Sequence, residues 1–74
     1  MALHSLDITE EHCPMTFVKT KLELEKLDSG DILEVLLTEG EPLDSVPKTS
    51  SAQGYDVLGI EHVSGKTYKV RIRR

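Results

Sequence analysis

The first half of the chain alternates between polar and apolar segments and predicts a strand, a loop and a helix. Residues 4–7 are a candidate strand, 8–12 are polar and typical of a loop, and 15–27 have helical spacing. Pro14 directly precedes the helical stretch, and the fixed φ of proline suits a first turn. Outside one polar stripe, an arc of apolar side chains fills most of the helix and is formed by Phe17, Val18, Leu22, Leu24 and Leu27. That stripe consists of Thr16, Lys19, Glu23 and Lys26.

The second half predicts a strand, a short helix and a hairpin. Residues 31–38 are almost continuously apolar, which is typical of a central strand, and 39–42 indicate a turn. A short helix is expected to start near Ser45, because Pro47 is tolerated best in a first turn. Strands 55–63 and 66–73 alternate and meet at a turn. The first places Leu58 and Ile60 on one face, and the second places Tyr68, Val70 and Ile72 on one face.

The predicted order βαβαββ, with both helices on one face, defines the fold class as an α/β (α+β) two-layer sandwich. The 74 residues suffice for one domain over 1–74, in which 1–3 are expected to be a loose terminus. A chain of this length buries only about 60% of its unfolded surface. A surface site is therefore expected rather than an enclosed cofactor cavity.

Charge and cysteine content restrict the protein class further. The net charge is −4, with eleven acids and three bases in 1–44 and two acids and six bases in 45–74. The single cysteine excludes an internal disulfide. The polar first dozen residues predict that there is no signal peptide, and no run is apolar enough to predict a membrane span. We therefore expect a cytoplasmic protein without membrane contact, whose basic C-terminal region can meet an acidic partner.

Cys13 is the candidate reactive residue. It stands where the N-cap of the helix is expected, just before Pro14. Unpaired N–H groups and the helix dipole at such a position lower a thiol pKa, and thiolates attack electrophilic sulfur. The N–H groups of Met15 and Thr16 are expected to support the thiolate. If Cys13 attacked the outer sulfur of a persulfide, it would carry that sulfur without a metal or cofactor.

Other readings of the same residues remain open. A lone cysteine is often a small buried hydrophobe, and an exposed activated thiol also suits a redox sensor. The basic stripe of the last strand permits a regulatory or RNA- and protein-interaction module, although three aromatics give little stacking surface and direct nucleic-acid binding is not expected. His12, Lys19 and Lys21 are candidate partner contacts. The histidines lack metal-ligand spacing, so no metal site is predicted.

The ordered segments along 6–73 resemble the TusA/SirA-like family of small sulfur-carrier proteins. The resemblance rests on Leu6-Asp7, Cys13-Pro14, a helix, the run Gly30–Val35, Val46-Pro47, Gly54 and a final hairpin ending in Arg71-Ile72-Arg73. It implies a mixed four-stranded sheet with two helices on one face. It also implies that Cys13 takes persulfide sulfur from a cysteine desulfurase or rhodanese-like donor and passes it to a downstream acceptor.

Two positions depart from the family pattern. The family motif is Cys-Pro-x-Pro, and Thr16 stands at its second proline. Thr16 restores an N–H and a hydroxyl in the first turn. The loop before the cysteine carries Glu10 in place of the usual glycine. These departures predict partners that differ from those of the tRNA-thiolation branch.

Overall fold

The computed structural model describes residues 2–11 and 15–74. Within them the chain forms four strands and two helices in the predicted order βαβαββ. The elements are β1 (Leu3–Asp7), α1 (Met15–Glu25), β2 (Ile32–Thr38), α2 (Glu41–Ala52), β3 (Asp56–Ser64) and β4 (Thr67–Arg73).

The four strands form one mixed sheet in the order β1-β2-β4-β3. β1 runs parallel to β2, with Leu6 opposite Val35, whereas β4 runs antiparallel to both β2 and β3. A parallel neighbour needs a crossover connection, and α1 supplies it between β1 and β2. The predicted mixed sheet and two-layer α/β sandwich are thus confirmed.

The core lies between the helices and one face of the sheet. Every second residue of β2 and β4 is buried, as the pleat of a strand requires. Tyr68, the second residue of β4, is partly buried and packs against the core, as predicted. The buried apolar residues are Ile8, Leu24, Leu27, Leu33, Val35, Leu37, Val46, Val70 and Ile72.

Leu3 is part of the sheet, and Ala2 is hydrogen-bonded beside it, so these two residues do not form a loose terminus. Leu3 is paired with Ile32 as the first residue of β1. The backbone N–H of Ala2 donates to Oδ1 of Asp31 at 2.9 Å, and its carbonyl accepts from the N–H of Ile32 at 2.9 Å. These bonds extend β1 by one residue relative to the prediction.

The predicted orientation of α1 is only partly correct. Leu24 and Leu27 of the predicted apolar arc are buried, but other positions differ from the prediction. Thr16, placed on the solvent stripe, is fully buried together with Thr20 and Leu24, while Val18 and Leu22 are exposed. Thr16, Thr20 and Leu24 recur every four residues, so they share one side, which lies toward α2 and the sheet. Small side chains permit close approach of two helices, so threonine suits this contact.

Both helices differ from their predicted limits. α1 ends at Glu25 rather than Leu27, because the last N–H groups bond three residues back, from Leu27 to the carbonyl of Leu24 at 3.1 Å. α2 begins at Glu41, and Pro47 lies inside it rather than in its first turn. Gly40 adopts a φ of 103° at the N-cap, and Pro42 occupies the first turn in the role expected of Pro47.

β3 is less regular than its sequence suggests. Register shifts interrupt its pairing with β4 between Val57 and Gly59 and between His62 and Ser64. Val57 packs against the core, whereas Leu58 and Ile60, predicted to share one face, are both exposed. The bulge leaves Leu58 without a paired residue and places Ile60 opposite Val70, so the two-residue period between them is broken. Because β3 is an edge strand of the sheet, Ile60 remains exposed there. The hairpin turn lies at residues 65–66, one position later than predicted.

Candidate functional site

The candidate site lies between the carboxyl end of β1 and the start of α1. His12, Cys13 and Pro14 lie outside the described residues, so their predicted roles stay predictions. The flanking residues define the surroundings. Glu11 is the last described residue before the gap, and Met15 is both the first after it and the first residue of α1.

The segment leading into the site is anchored to the sheet by its backbone. The N–H of Ile8, whose side chain is in the core, donates to the carbonyl of Leu36 at 2.9 Å. The hydroxyl of Thr38 donates to the carbonyl of Thr9 at 3.1 Å. The N–H of Glu11 then donates back to the carbonyl of Ile8 at 3.1 Å. Residues 8–11 are therefore fixed relative to β2.

Asp7 and Thr9 shape the turn that leaves β1. Oδ1 of Asp7 accepts the Thr9 hydroxyl at 2.7 Å and the Thr9 backbone N–H at 2.9 Å. These two bonds, the hydroxyl first, hold the pKa of Asp7 below its ordinary value. Asp7 is thus ionised at neutral pH. The spacing Asp-x-Thr is typical of such a side-chain-to-backbone turn and would have predicted it from sequence.

A shallow depression of about 320 Å³ lies on this side of the molecule. Its described lining is acidic and polar, consisting of Asp7, Thr9, Glu10 and Glu11. Carboxylates near a thiol raise its pKa, so they oppose the effect expected from a helix N-terminus. The acidic character of this loop is visible in the sequence, but its opposition to a thiolate was not predicted from it.

Lys19 connects the loop to α1. Its Nζ lies 3.1 Å from Oε2 of Glu11, with both side chains partly exposed. The bridge joins the segments on either side of residues 12–14 and neutralises one of the carboxylates. Lys19 was predicted as a partner contact, and its described partner is this intramolecular carboxylate. Lys21 is half-buried and forms no ion pair with any residue in 2–11 or 15–74.

The two predicted support residues in the first turn differ in exposure. Met15 is exposed, whereas Thr16 is fully buried. The hydroxyl of Thr16 has no hydrogen-bond partner within the described part of the chain. Ser45 and Ser50 of α2 are the other buried hydroxyls of this kind there. Only Thr16 of the three lies within one helical turn of Cys13 in the sequence.

The sheet face opposite the helices is not a free basic surface. Glu34 of β2 accepts from Nε of Arg71 at 2.8 Å and lies 3.9 Å from Nζ of Lys69. Arg73 pairs with Asp56 at 2.7 Å. Because carboxylates partner these cations, the predicted basic stripe loses most of the positive potential that RNA binding requires. The geometry thus disfavours the interaction-module hypothesis based on this strand.

No group of three metal-ligating side chains occurs within residues 2–11 and 15–74. No helix in the same ranges is both long and apolar enough to cross a membrane.

The fold and the anchored loop before α1 define a small two-layer α/β domain. The family model described as sulfurtransferase TusA matches residues 4–74. A candidate sulfur carrier protein of Archaeoglobus fulgidus is 39% identical over 69 residues, covering 93% of this chain and 78% of that protein. One from Thermotoga maritima is 35% identical over 69 residues, covering 93% and 87%.

A solved structure shares the fold. The SirA-like protein of Desulfitobacterium hafniense superposes with a TM-score of 0.83 over 95% of each chain at 20% identity. The chain belongs to the TusA family, and its role is of the sulfur-carrier or sulfurtransferase type. The family resemblance drawn from the sequence is confirmed.

Proposed function

We propose that this protein accepts sulfur on Cys13 as a persulfide and passes it to an acceptor protein. The observation that carries the proposal is the start of α1 at Met15, two residues after Cys13 in the sequence of a TusA-family chain. The free N–H groups of a first helical turn stabilise an anion nearby. Pro14 fits the first turn, where a missing N–H costs nothing.

The transfer step needs no oxidant or metal. The Cys13 thiolate attacks the outer sulfur of a donor persulfide, and a new sulfur–sulfur bond forms as the donor's own sulfur–sulfur bond breaks. The electron pair of the broken bond leaves with the donor as its thiolate. The hydrogen on the outer sulfur stays with it, so Cys13 ends as Cys–S–SH. The same displacement by an acceptor thiolate on that outer sulfur returns Cys13 to a thiolate.

Thr16 supports the proposal from the first turn. A buried hydroxyl without a partner is costly, which implies that something nearby uses it. Cys13 precedes Thr16, the second residue of α1, by three residues, so the two lie within one helical turn of each other in the sequence. The hydroxyl of Thr16 is therefore suited to donate a hydrogen bond to sulfur on Cys13. The family's second proline offers no such donor.

The partners we propose are a cysteine desulfurase or rhodanese-like donor and a downstream sulfur acceptor, all in the reducing cytoplasm. His12, Lys19 and Lys21 remain proposed contacts to these proteins. Lys21 is the best placed of them by charge, because Lys19 already pairs with Glu11.

The test mixes the purified protein with a cysteine desulfurase and cysteine and measures its intact mass. We expect one sulfur atom to be added to the wild type, to be removed by a reductant, and to be absent from Cys13→Ser. A rhodanese with thiosulfate serves as the second donor. If neither protein donor nor inorganic polysulfide adds sulfur to the wild type, the relay proposal is wrong.

A further inference from the structure

Thr9 is the residue through which the loop before Cys13 is held to the rest of the domain. Its backbone N–H and its hydroxyl both donate to Oδ1 of Asp7, at 2.9 and 2.7 Å. Its carbonyl accepts the hydroxyl of Thr38, the last residue of β2, at 3.1 Å. Every polar group of Thr9 therefore has a partner, although the residue is only half-buried and lies in a turn.

The bond from Thr38 differs in kind from the two bonds to Asp7. Asp7 is two residues from Thr9, so these bonds shape the turn without joining it to another element. Thr38 is 29 residues from Thr9 and belongs to β2, which is paired on both sides within the sheet. The Thr38 hydroxyl thus fixes the turn to a rigid part of the fold.

Within residues 2–11 and 15–74, the Thr38 bond is the last hydrogen bond from the sheet before the chain reaches Cys13. The backbone bonds between β1 and β2 end one residue earlier, where the N–H of Ile8 donates to the carbonyl of Leu36 at 2.9 Å. The N–H of Glu11 donates to the carbonyl of Ile8 at 3.1 Å and closes the turn on itself. The position at which the loop leaves the sheet therefore depends on Thr38.

The reactivity expected of Cys13 depends on that position. The free N–H groups of a first helical turn stabilise an anion only at hydrogen-bonding distance and angle. Glu11 and Met15, the first residue of α1, are separated by residues 12–14 alone. So short a segment has few conformations when both of its ends are fixed, and a small displacement of a reactive group is costly.

We propose that Thr38 is a positioning residue for Cys13, whose hydroxyl holds the loop so that the cysteine sulfur stays at the start of α1. This inference rests on the proposed relay at Cys13 and adds a residue of β2 that acts on it through the backbone of Thr9. Without the hydroxyl the loop can shift, and the sulfur loses part of its contact with the first turn. The pKa of Cys13 should then rise toward its ordinary value of about 8.5.

The experiment measures the alkylation of Cys13 by iodoacetamide in the full chain from about pH 5 to about pH 9. Thr38→Val removes the hydroxyl and keeps the β-branched shape that suits a strand. We expect alkylation at neutral pH to slow about threefold and the midpoint of its pH profile to rise. Thr38→Ala, a second variant without the hydroxyl, should behave in the same way. Thr38→Ser keeps a hydroxyl and should retain the wild-type profile.

Thr20→Val is the matched control. It removes a bond of the same kind, from a threonine hydroxyl to the backbone carbonyl of Thr16 at 2.8 Å, but this bond lies within α1 and not in the loop. The control should lose stability in urea and keep the pH profile of the wild type. A shift in Thr38→Val that Thr20→Val lacks therefore reports the position of the loop and not a general loss of stability.

A midpoint in Thr38→Val and Thr38→Ala that is unchanged or lower than in the wild type would overturn the proposal. An equal shift in Thr38→Ser or in Thr20→Val would do so too, because the hydroxyl bond to the loop would then not be its cause. Iodoacetamide needs no sulfur donor, so alkylation tests Thr38 independently of the relay. A wild type that takes sulfur from no donor would remove the relay alone.

Discussion

Nζ of Lys19 lies 3.1 Å from Oε2 of Glu11, so an ion pair joins the loop before residues 12–14 to the helix after them. Lys19 is in the second turn of α1, and Glu11 follows a loop that is hydrogen-bonded to β2. The pair thus holds together the two segments that flank Cys13. It also places one positive charge among the carboxylates that line the depression.

Reversing the charge of Lys19 should therefore slow the reaction of the Cys13 thiol with an alkylating reagent. Lys19→Glu removes a cation and adds a carboxylate, so we expect a higher pKa of Cys13 and slower alkylation by iodoacetamide at neutral pH. The cost in unfolding free energy should stay below about 1 kcal/mol, because the pair is partly exposed. Glu11→Lys/Lys19→Glu restores the pair and should recover most of the alkylation rate. A double variant as slow as the single one would contradict the role of the pair.

Thr16 and Thr20 allow a matched test of a buried hydroxyl. The Thr20 hydroxyl donates to the carbonyl of Thr16 at 2.8 Å, so Thr20→Val should cost about 1 kcal/mol in urea unfolding and leave the Cys13 titration unchanged. Thr16→Val removes a hydroxyl without a described partner and should cost little stability.

The pH dependence of Cys13 alkylation shows whether the Thr16 hydroxyl donates to the cysteine sulfur or is merely buried. If the Thr16 hydroxyl donates to sulfur, Thr16→Val raises the Cys13 pKa and slows reaction at neutral pH. An unchanged pH profile together with higher stability would show that the hydroxyl is merely buried.

Arg74 should contribute more stability than its neighbour Arg73. The Nη1 of Arg74 donates to the carbonyls of Leu24 and Glu25 at 3.2 and 2.8 Å and also to that of Leu27. A cation that satisfies the last carbonyls of a helix is favourable, so Arg74→Ala should lower the unfolding free energy by about 1–2 kcal/mol.

Arg73→Ala is the control for losing an arginine. Arg73 pairs with Asp56 on the exposed sheet face, and such pairs contribute less than about 1 kcal/mol. The stability lost in each variant is measured from its urea unfolding midpoint at neutral pH. Equal losses would argue against the helix-terminal role of Arg74.

The lowered pKa of Asp31 predicts how the stability of the protein falls in acid. The backbone N–H groups of Ala2, first, and Asp28 hold the pKa of Asp31 below its ordinary value of 3.8, with His4 adding a smaller attraction. A carboxyl with a lowered folded pKa stabilises the fold at pH values above its unfolded pKa. That contribution disappears as pH falls through the folded value.

The test follows urea midpoints of the wild type and Asp31→Asn from about pH 5 to about pH 2. The wild type should be the more stable at the upper end, and the difference should shrink below pH 3.8. The sheet edge near Ala2 should loosen together with it, because Asp31 accepts the Ala2 N–H. A difference that stays constant with pH would contradict the linkage.

The strands and the class of fold were predictable because their signals are local. The alternation along 66–73 determines which side of β4 is buried, since successive side chains point to opposite faces. The apolar run of β2 likewise indicated a central strand, and it lies between β1 and β4. The candidate cysteine and its helix start were also readable, because proline has a preferred place in a helix.

The direction in which α1 faces was decided only by tertiary packing. Hydrophobic period predicted that Val18 and Leu22 share the apolar arc, but close contact with α2 and the sheet selects the side with Thr16 and Thr20. Where α1 contacts α2 and the sheet, the need for small side chains therefore outweighs the gain from burying larger apolar ones. In β3 the strand order decides the exposure, because β3 lies at the edge of the sheet and leaves Leu58 and Ile60 exposed.

The sequence by itself determined the order of elements, the sheet faces of β2 and β4, and the position of a single cysteine before a helix, because each depends on residues close together in the chain. Only the tertiary structure decided which residues flank Cys13 and which side of α1 is buried. Glu11 meets Lys19, and Thr16 is buried, through contacts fixed by how the loop and helix lie on the sheet. Such contacts leave no periodic signal in the sequence.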